Sequence, residues 1–130
     1  ELITMEGCPE TSEIAKENFR KSGLNKITAL TGSFDELLPE LRRKGLSPGL
    51  VFIDGNHRRE PVLKYFDEVA EMSGPESVVI IDDIHSSRSM SDAWNDIKKH
   101  GKVSSSVDVF RMGMVFFRKG ITPYDYTVRY

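Results

Sequence analysis

The segment Leu50-Val51-Phe52-Ile53-Asp54-Gly55-Asn56-His57 has a near copy in Val78-Val79-Ile80-Ile81-Asp82-Asp83-Ile84-His85. Each is an unbroken apolar run that stops at aspartate, with a histidine three positions further on. A short apolar run without polar interruption reads as a strand buried on both faces, the pattern of a parallel sheet. Acidic residues at the carboxyl ends of such strands stand where open α/β sheets bind ligands. The repeat therefore predicts that Asp54, Asp82, Asp83, His57 and His85 gather at one edge of one sheet.

The rest of the chain is consistent with such a sheet. Leu2 to Glu6 reads as a strand, and Pro9, Thr11 and Ser12 as a turn. From Glu13, Ile14, Ala15, Phe19 and Leu24 fall at helical spacing, and Gly23 suits a left-handed cap. Lys26 to Thr31 is the next strand. Ser33 with Glu36 makes a capping box ahead of a helix that buries Phe34, Leu37, Leu38 and Leu41, and Gly45 and Pro48 stop it. After the strand ending at Asp54, a helix from about Glu60 carries Val62, Leu63, Phe66, Val69 and Ala70 inward. Pro61 suits its first turn. Gly74-Pro75 leads into the strand ending at Asp83. Ser89 or Ser91 opens a last helix, with Trp94 as a core residue, and Gly101 closes it. Lys102 to Val109 and Phe110 to Arg118 leave no room for a helix between them and read as an antiparallel pair. Four strand-helix units followed by two strands mean a mostly parallel sheet with helices on both faces.

A length of 130 residues is enough for one domain with a real core, so residues 1–130 are expected to form a single domain. The net charge of −2 offers no stripe for nucleic acid and no polybasic membrane anchor. No apolar stretch nears the ~18 residues that span a bilayer. No secretory pattern is visible, and the single cysteine, Cys8, fits a reducing compartment, so a cytoplasmic location is expected. Cys8, followed at once by Pro9, reads as a small buried hydrophobe rather than a nucleophile. The chain begins abruptly at Glu1-Leu2-Ile3, so targeting by a preceding segment stays open.

Four segments together resemble a family. ITMEGCPETSEIAKENFRKSGL, ITALTGSFDELLPEL, LVFIDGNH and SVVIIDDIH resemble, in order, the second to fifth strands and following segments of class I S-adenosylmethionine-dependent methyltransferases, nearest the small-molecule O-methyltransferases of the catechol type. The terminal strand pair is similar to the family's sixth and seventh strands. The resemblance implies a Rossmann-like, doubly wound α/β/α sheet. The family's first strand and Gly-rich loop have no counterpart here. The chain is thus expected to be a fragment, an engineered piece or an N-terminally truncated paralogue, with either a gap or a new strand pairing in its sheet.

The resemblance also implies roles. Glu6, with Gly7 beside it, would accept hydrogen bonds from the ribose hydroxyls of S-adenosylmethionine. Ser33 would lie beside the adenine with Phe34 as an apolar wall, Asp35 being a weaker alternative. Asp54 would serve cofactor, catalysis and metal. A divalent metal would be held by Asp54, Asp82 and Asp83. Oxygen-only ligands suit Mg²⁺ or Ca²⁺ rather than zinc, and three close carboxylates repel unless a cation or proton neutralises them. His57 stands where the catechol-type enzymes place a lysine and would be the general base. His85 would orient substrate or join the metal shell, and Asn56 and Arg58 are loop candidates for substrate contact. His100 reads as a helix-dipole partner. Arg88, Lys98, Lys99 and Lys102 read as a solvated face.

The activity implied is methyl transfer to an oxygen of a small-molecule acceptor. The alternative is a non-catalytic methyltransferase-like scaffold or dimerisation module. A homodimer stays open in either case, because Tyr124, Asp125, Tyr126 and Tyr130 can cover the sheet edge or meet a second copy. A phosphoryl-transfer or hydrolase site is the third reading. Asp54-Gly55-Asn56 lacks the second aspartate that a phosphatase of the haloacid dehalogenase type places two residues on.

Overall fold

A computed structural model describes residues 1–129. The elements run β1 (Leu2–Glu6), α1 (Pro9–Lys21), β2 (Ile27–Thr31), α2 (Phe34–Arg43), β3 (Leu50–Ile53), α3 (Arg59–Met72), β4 (Val78–Ile81), α4 (Arg88–Lys98), β5 (Ser105–Val109), β6 (Met112–Phe116) and β7 (Tyr124–Thr127). This is the predicted Rossmann-like α/β class, but the strands fall into two sheets rather than one. The chain packs as two compact units, Glu1–Lys44 and Gly45–Tyr130. Tyr130 lies outside the described residues.

In the first unit β1 and β2 pair in parallel, from Leu2 opposite Ile27 to Glu6 opposite Thr31. Helix α1 starts at Pro9, earlier than expected, because Pro is at home in a first helical turn. Thr11 and Ser12 are therefore helical rather than turn residues. This start sets the phase of the helix. Buried Ser12 and half-buried Ala15, Lys16 and Phe19 lie on one face, and Ile14 turns out to solvent. Gly23 ends the helix with a left-handed φ of 68°, as expected. Cys8 is exposed, not buried; its thiol lies 3.1 Å from the Glu10 carboxylate. Ser33 occupies the N-cap position of α2, but its side chain caps nothing. Its carbonyl oxygen instead accepts the N–H groups of Glu36 and Leu37, so the expected capping box does not form. Leu38 and Leu41 are the buried residues of α2.

In the second unit the strand order is β3-β4-β6-β5-β7. β3 and β4 are parallel. β6 runs antiparallel to both β4 and β5, and β7 lies parallel to β5. The core joins Val79 and Ile81 of β4 and Val115 of β6 to Val62, Phe66, Val69 and Ala70 of α3 and Met90, Ala93, Trp94 and Ile97 of α4. Trp94 is core, as expected. Its ring packs where a Cβ on Gly113 would stand, only 2.6 Å from Cη2.

Three expectations change here. β3 is not buried on both faces. Ile53 is buried while Leu50 and Phe52 are 66% and 53% exposed, because strand alternation turns them to the other face of an edge strand. Helix α4 starts at Arg88, and Ser87 is its cap, with Oγ accepting the Met90 N–H at 3.1 Å. The tail adds a third terminal strand, β7, which covers the β5 edge; Ser106 Oγ donates to Asp125 Oδ1 at 2.5 Å across that ladder. The basic side chains near α4 are also less idle than expected. Lys98 lies over the Trp94 ring at 5.8 Å and Lys102 pairs with Glu71 at 2.8 Å.

Candidate active site

In the second unit, Ile53 of β3 stands opposite Ile81 of β4. Asp54 and Asp82 therefore leave the sheet at the same edge, where the Asp82 N–H donates to the Ile53 carbonyl at 3.0 Å. Both loops then turn through left-handed residues, Asn56 at φ 48° and Asp83 at φ 54°. Asn and Asp tolerate this region better than most side chains. β6 brings in a further group. It runs antiparallel to β4 with Gly113 opposite Ile81, so Arg111, just ahead of β6, arrives beside the same aspartates. The Ile84 N–H fixes it there by donating to the Arg111 carbonyl at 3.1 Å.

The side chains interlock. His57 Nε2 is 3.2 Å from Asp54 Oδ1 and 3.8 Å from Asp83 Oδ2. Arg111 Nε is 3.2 Å from Asp83 Oδ1 and 3.7 Å from Asp82 Oδ1. Of the residues the sequence singled out, Asp54, His57, Asp82 and Asp83 come together. His85 makes its short contact elsewhere, with Asp108 at 2.8 Å. Arg58 holds the N-cap position of α3, and its N–H donates to the Asn56 carbonyl. His100 faces Asp67 at 3.7 Å and meets the Phe66 ring edge-on. Arg111 and Asp108 were missed. The signal that could have found Arg111 is topological: a strand antiparallel to β4 must begin where β4 ends.

The arrangement tests the expected metal directly. Three carboxylates are the right donor type for Mg²⁺ or Ca²⁺. Yet among the described residues no three His, Cys, Asp or Glu side chains are disposed to hold a metal ion. The carboxylates are already faced by cationic or protonatable groups, Arg111 on Asp82 and Asp83 and His57 on Asp54 and Asp83. As arranged, the donors do not fit a divalent ion.

In the first unit, Glu6 and Gly7 leave β1 beside the turn that follows β2, where the Gly32 N–H donates to the Glu6 carbonyl at 3.0 Å. Glu6 Oε1 accepts the Cys8 N–H at 2.8 Å. Ser33 is exposed and Phe34 half-buried at the start of α2. Gly7 and Gly32 bring the two turns close; a Cβ on Gly7 would meet the Gly32 carbonyl oxygen at 3.9 Å. Four of the five residues expected to contact cofactor, Glu6, Gly7, Ser33 and Phe34, thus share one end of this small sheet, and the fifth, Asp54, belongs to the second unit.

A methyltransferase domain family matches residues 1–84, the stretch that holds the first apolar-aspartate phrase and all of the second but His85. The chain belongs to the methyltransferase domain family. No curated protein matches it by sequence. Solved structures share its fold. The O-methyltransferase from Bacillus cereus, in complex with S-adenosylhomocysteine, matches at TM-score 0.71 and 19% identity over 88% of this chain. The O-methyltransferase TomG from Streptomyces achromogenes, involved in tomaymycin synthesis and in complex with S-adenosylmethionine, matches at TM-score 0.74 and 19% identity over 91% of it. A methyltransferase from Podospora anserina bound to S-adenosylhomocysteine matches at TM-score 0.73 and 13% identity over 92% of it. This methyltransferase domain spans 61–62% of the length of those three proteins. Among its described residues no helix is long and apolar enough to cross a membrane.

Proposed function

We propose that this chain is an S-adenosylmethionine-dependent methyltransferase, or the greater part of one, acting on an oxygen of a small-molecule acceptor. The observation that carries the reading is the His57–Asp54–Asp83 contact at the carboxyl edge of β3 and β4, inside the family to which the chain belongs. The cofactor, when bound, supplies an electrophilic sulfonium methyl. His57 takes the proton of the acceptor hydroxyl as the oxygen–methyl bond forms and the carbon–sulfur bond breaks, leaving S-adenosylhomocysteine. Asp54 and Asp83 flank the ring and orient it. Arg111 offsets the remaining carboxylate charge. In the first unit, Glu6 keeps Oε2 for ribose hydroxyls, and Ser33 and Phe34 are assigned to the adenine.

Calorimetry of the full gene product with S-adenosylhomocysteine tests the reading. Binding heat is expected; its absence at millimolar ligand turns the reading to a non-catalytic scaffold. A metal-assisted route is the second reading; Asp54, Asp82 and Asp83 are the right donor type for it but do not fit a divalent ion as arranged, so it requires Arg111 and His57 to leave them. Assay with and without chelator separates the two, since the arginine-neutralised site predicts methyl transfer unchanged by chelator. We also propose a cytoplasmic location, supported by the lone exposed Cys8, and a homodimer, supported by exposed Tyr124 and Tyr126 and tested by light scattering.

A further inference from the structure

His85 and Asp108 form a polar pair that the chemistry above does not use. His85 Nε2 lies 2.8 Å from Asp108 Oδ2, and Asp108 Oδ1 accepts the Phe110 N–H at 2.9 Å. The Asp108 side chain is only 15% exposed. Burial opposes its ionisation, but the hydrogen bonds from His85 and the Phe110 amide outweigh burial and hold its carboxyl below the ordinary value. The Trp94 indole N–H faces the same carboxylate without reaching hydrogen-bonding geometry. An ionised carboxylate can only accept. In the neutral ring, the proton therefore sits on Nε2 and the lone pair on Nδ1.

That lone pair has a weak partner. Nδ1 faces Ser91 Oγ at 3.4 Å, and the same oxygen is 3.4 Å from the Ile84 carbonyl. Both contacts are at the long limit of hydrogen bonding, so neither fixes the hydroxyl. His85 itself is exposed, with a side chain 39% open to solvent. A shielded anion thus sets one tautomer of an accessible ring, and the nitrogen left as an acceptor has only a loosely held hydroxyl before it.

We propose that His85 is a hydroxyl-recognition residue for the acceptor, its Nδ1 accepting a hydrogen bond from an O–H group that displaces Ser91, with Asp108 as its positioning residue. The ligand class follows from the tautomer: small molecules with a free hydroxyl are selected and their ethers are not. The ligand's identity as methyl acceptor rests on the methyl-transfer reading, but the recognition itself does not.

The test is histidine-ring ¹⁵N NMR on the full chain, above the ordinary histidine range of about pH 6.5. His85→Gln assigns its signals among the three histidines. His85 is expected to be protonated at Nε2 and bare at Nδ1. Phenol, as probe, is expected to move the Nδ1 signal and to bind about tenfold more tightly than anisole. Ser91→Ala removes the internal competitor and is expected to tighten phenol binding; Asp108→Asn is expected to abolish the preference for phenol. A proton on Nδ1, equal responses to phenol and anisole, or weaker phenol binding by Ser91→Ala overturns the proposal. None of these readouts uses S-adenosylmethionine. A chain that ignores S-adenosylhomocysteine yet passes them refutes methyl transfer and leaves hydroxyl recognition standing.

Discussion

His57 and Gly113 show two ways in which one side chain can matter here. His57 reaches Asp54 and Asp83 across 3.2 Å and 3.8 Å, and in the proposed role of general base it would act on the chemical step rather than on binding. His57→Asn is expected to lower kcat by about 10²–10⁴-fold with a much smaller change in KM, measured as S-adenosylhomocysteine release once an acceptor is known. An equal fall in both parameters would remove it from the proton transfer. Gly113 matters by having no side chain. A Cβ there would stand 2.6 Å from Trp94 Cη2, far inside van der Waals contact, and Trp94 is fully buried in a close-packed core. Gly113→Ala is expected to destabilise the protein by about 1–3 kcal/mol through overpacking. Chemical denaturation measures this, and an unchanged midpoint would mean that the indole can move aside.

Among the elements, helix α4 shows why some boundaries were legible and others not. Ser87, Ser89 and Ser91 all stand ahead of Ala93, Trp94 and Ile97, and all are chemically able to cap. The structure selects Ser87, whose extended backbone aims Oγ at the Met90 N–H. Ser87→Ala is expected to cost about 1 kcal/mol, with Ser89→Ala and Ser91→Ala costing less in the same thermal unfolding series. The strands at Asp54 and Asp83 were legible because an unbroken apolar run that ends in aspartate admits few readings. The Asp54, His57, Asp83 cluster was legible because those strands are parallel neighbours. Arg111 and Asp108 were not, since their places depend on β6 inserting between β4 and β5, a matter of sheet order that short-range spacing does not encode. β7 was hidden for a similar reason: Tyr124 to Thr127 is a short, exposed run whose strand partner among the described residues is β5. The burial of β3 was misjudged because composition reports that a residue is apolar, not whether anything covers it.

Stability across the molecule should be uneven, and it should depend on acid. Asp108 has a carboxyl held below its ordinary value in the folded protein. Its stabilisation is therefore fully present above the unfolded value near pH 4 and is lost as pH falls through the lower folded value. Asp108→Asn is expected to remove that part of the acid sensitivity, seen as a flatter dependence of unfolding free energy on pH below about 4.

Unevenness follows from where the core lies. The first unit has a two-stranded sheet and only Leu38 and Leu41 as buried apolar residues. The second has five strands, two helices packed on each other, and the rest of the buried apolar side chains, Trp94, Phe66 and Ile81 among them. Pairs of strands without a substantial apolar cover are marginal in water, and local opening takes its free energy from the apolar contacts that must be broken. Amide hydrogen exchange is therefore expected to be fast in β1 and β2 and slowest in β4 and β6, by more than about tenfold, a gap of only 1.4 kcal/mol in opening free energy. S-adenosylhomocysteine is expected to slow exchange in the first unit if Glu6 and Ser33 hold the cofactor, because a ligand that binds only the closed form adds its binding free energy to the cost of opening. Equal protection in the two units without ligand would show that the small sheet draws stability from interactions outside its own core.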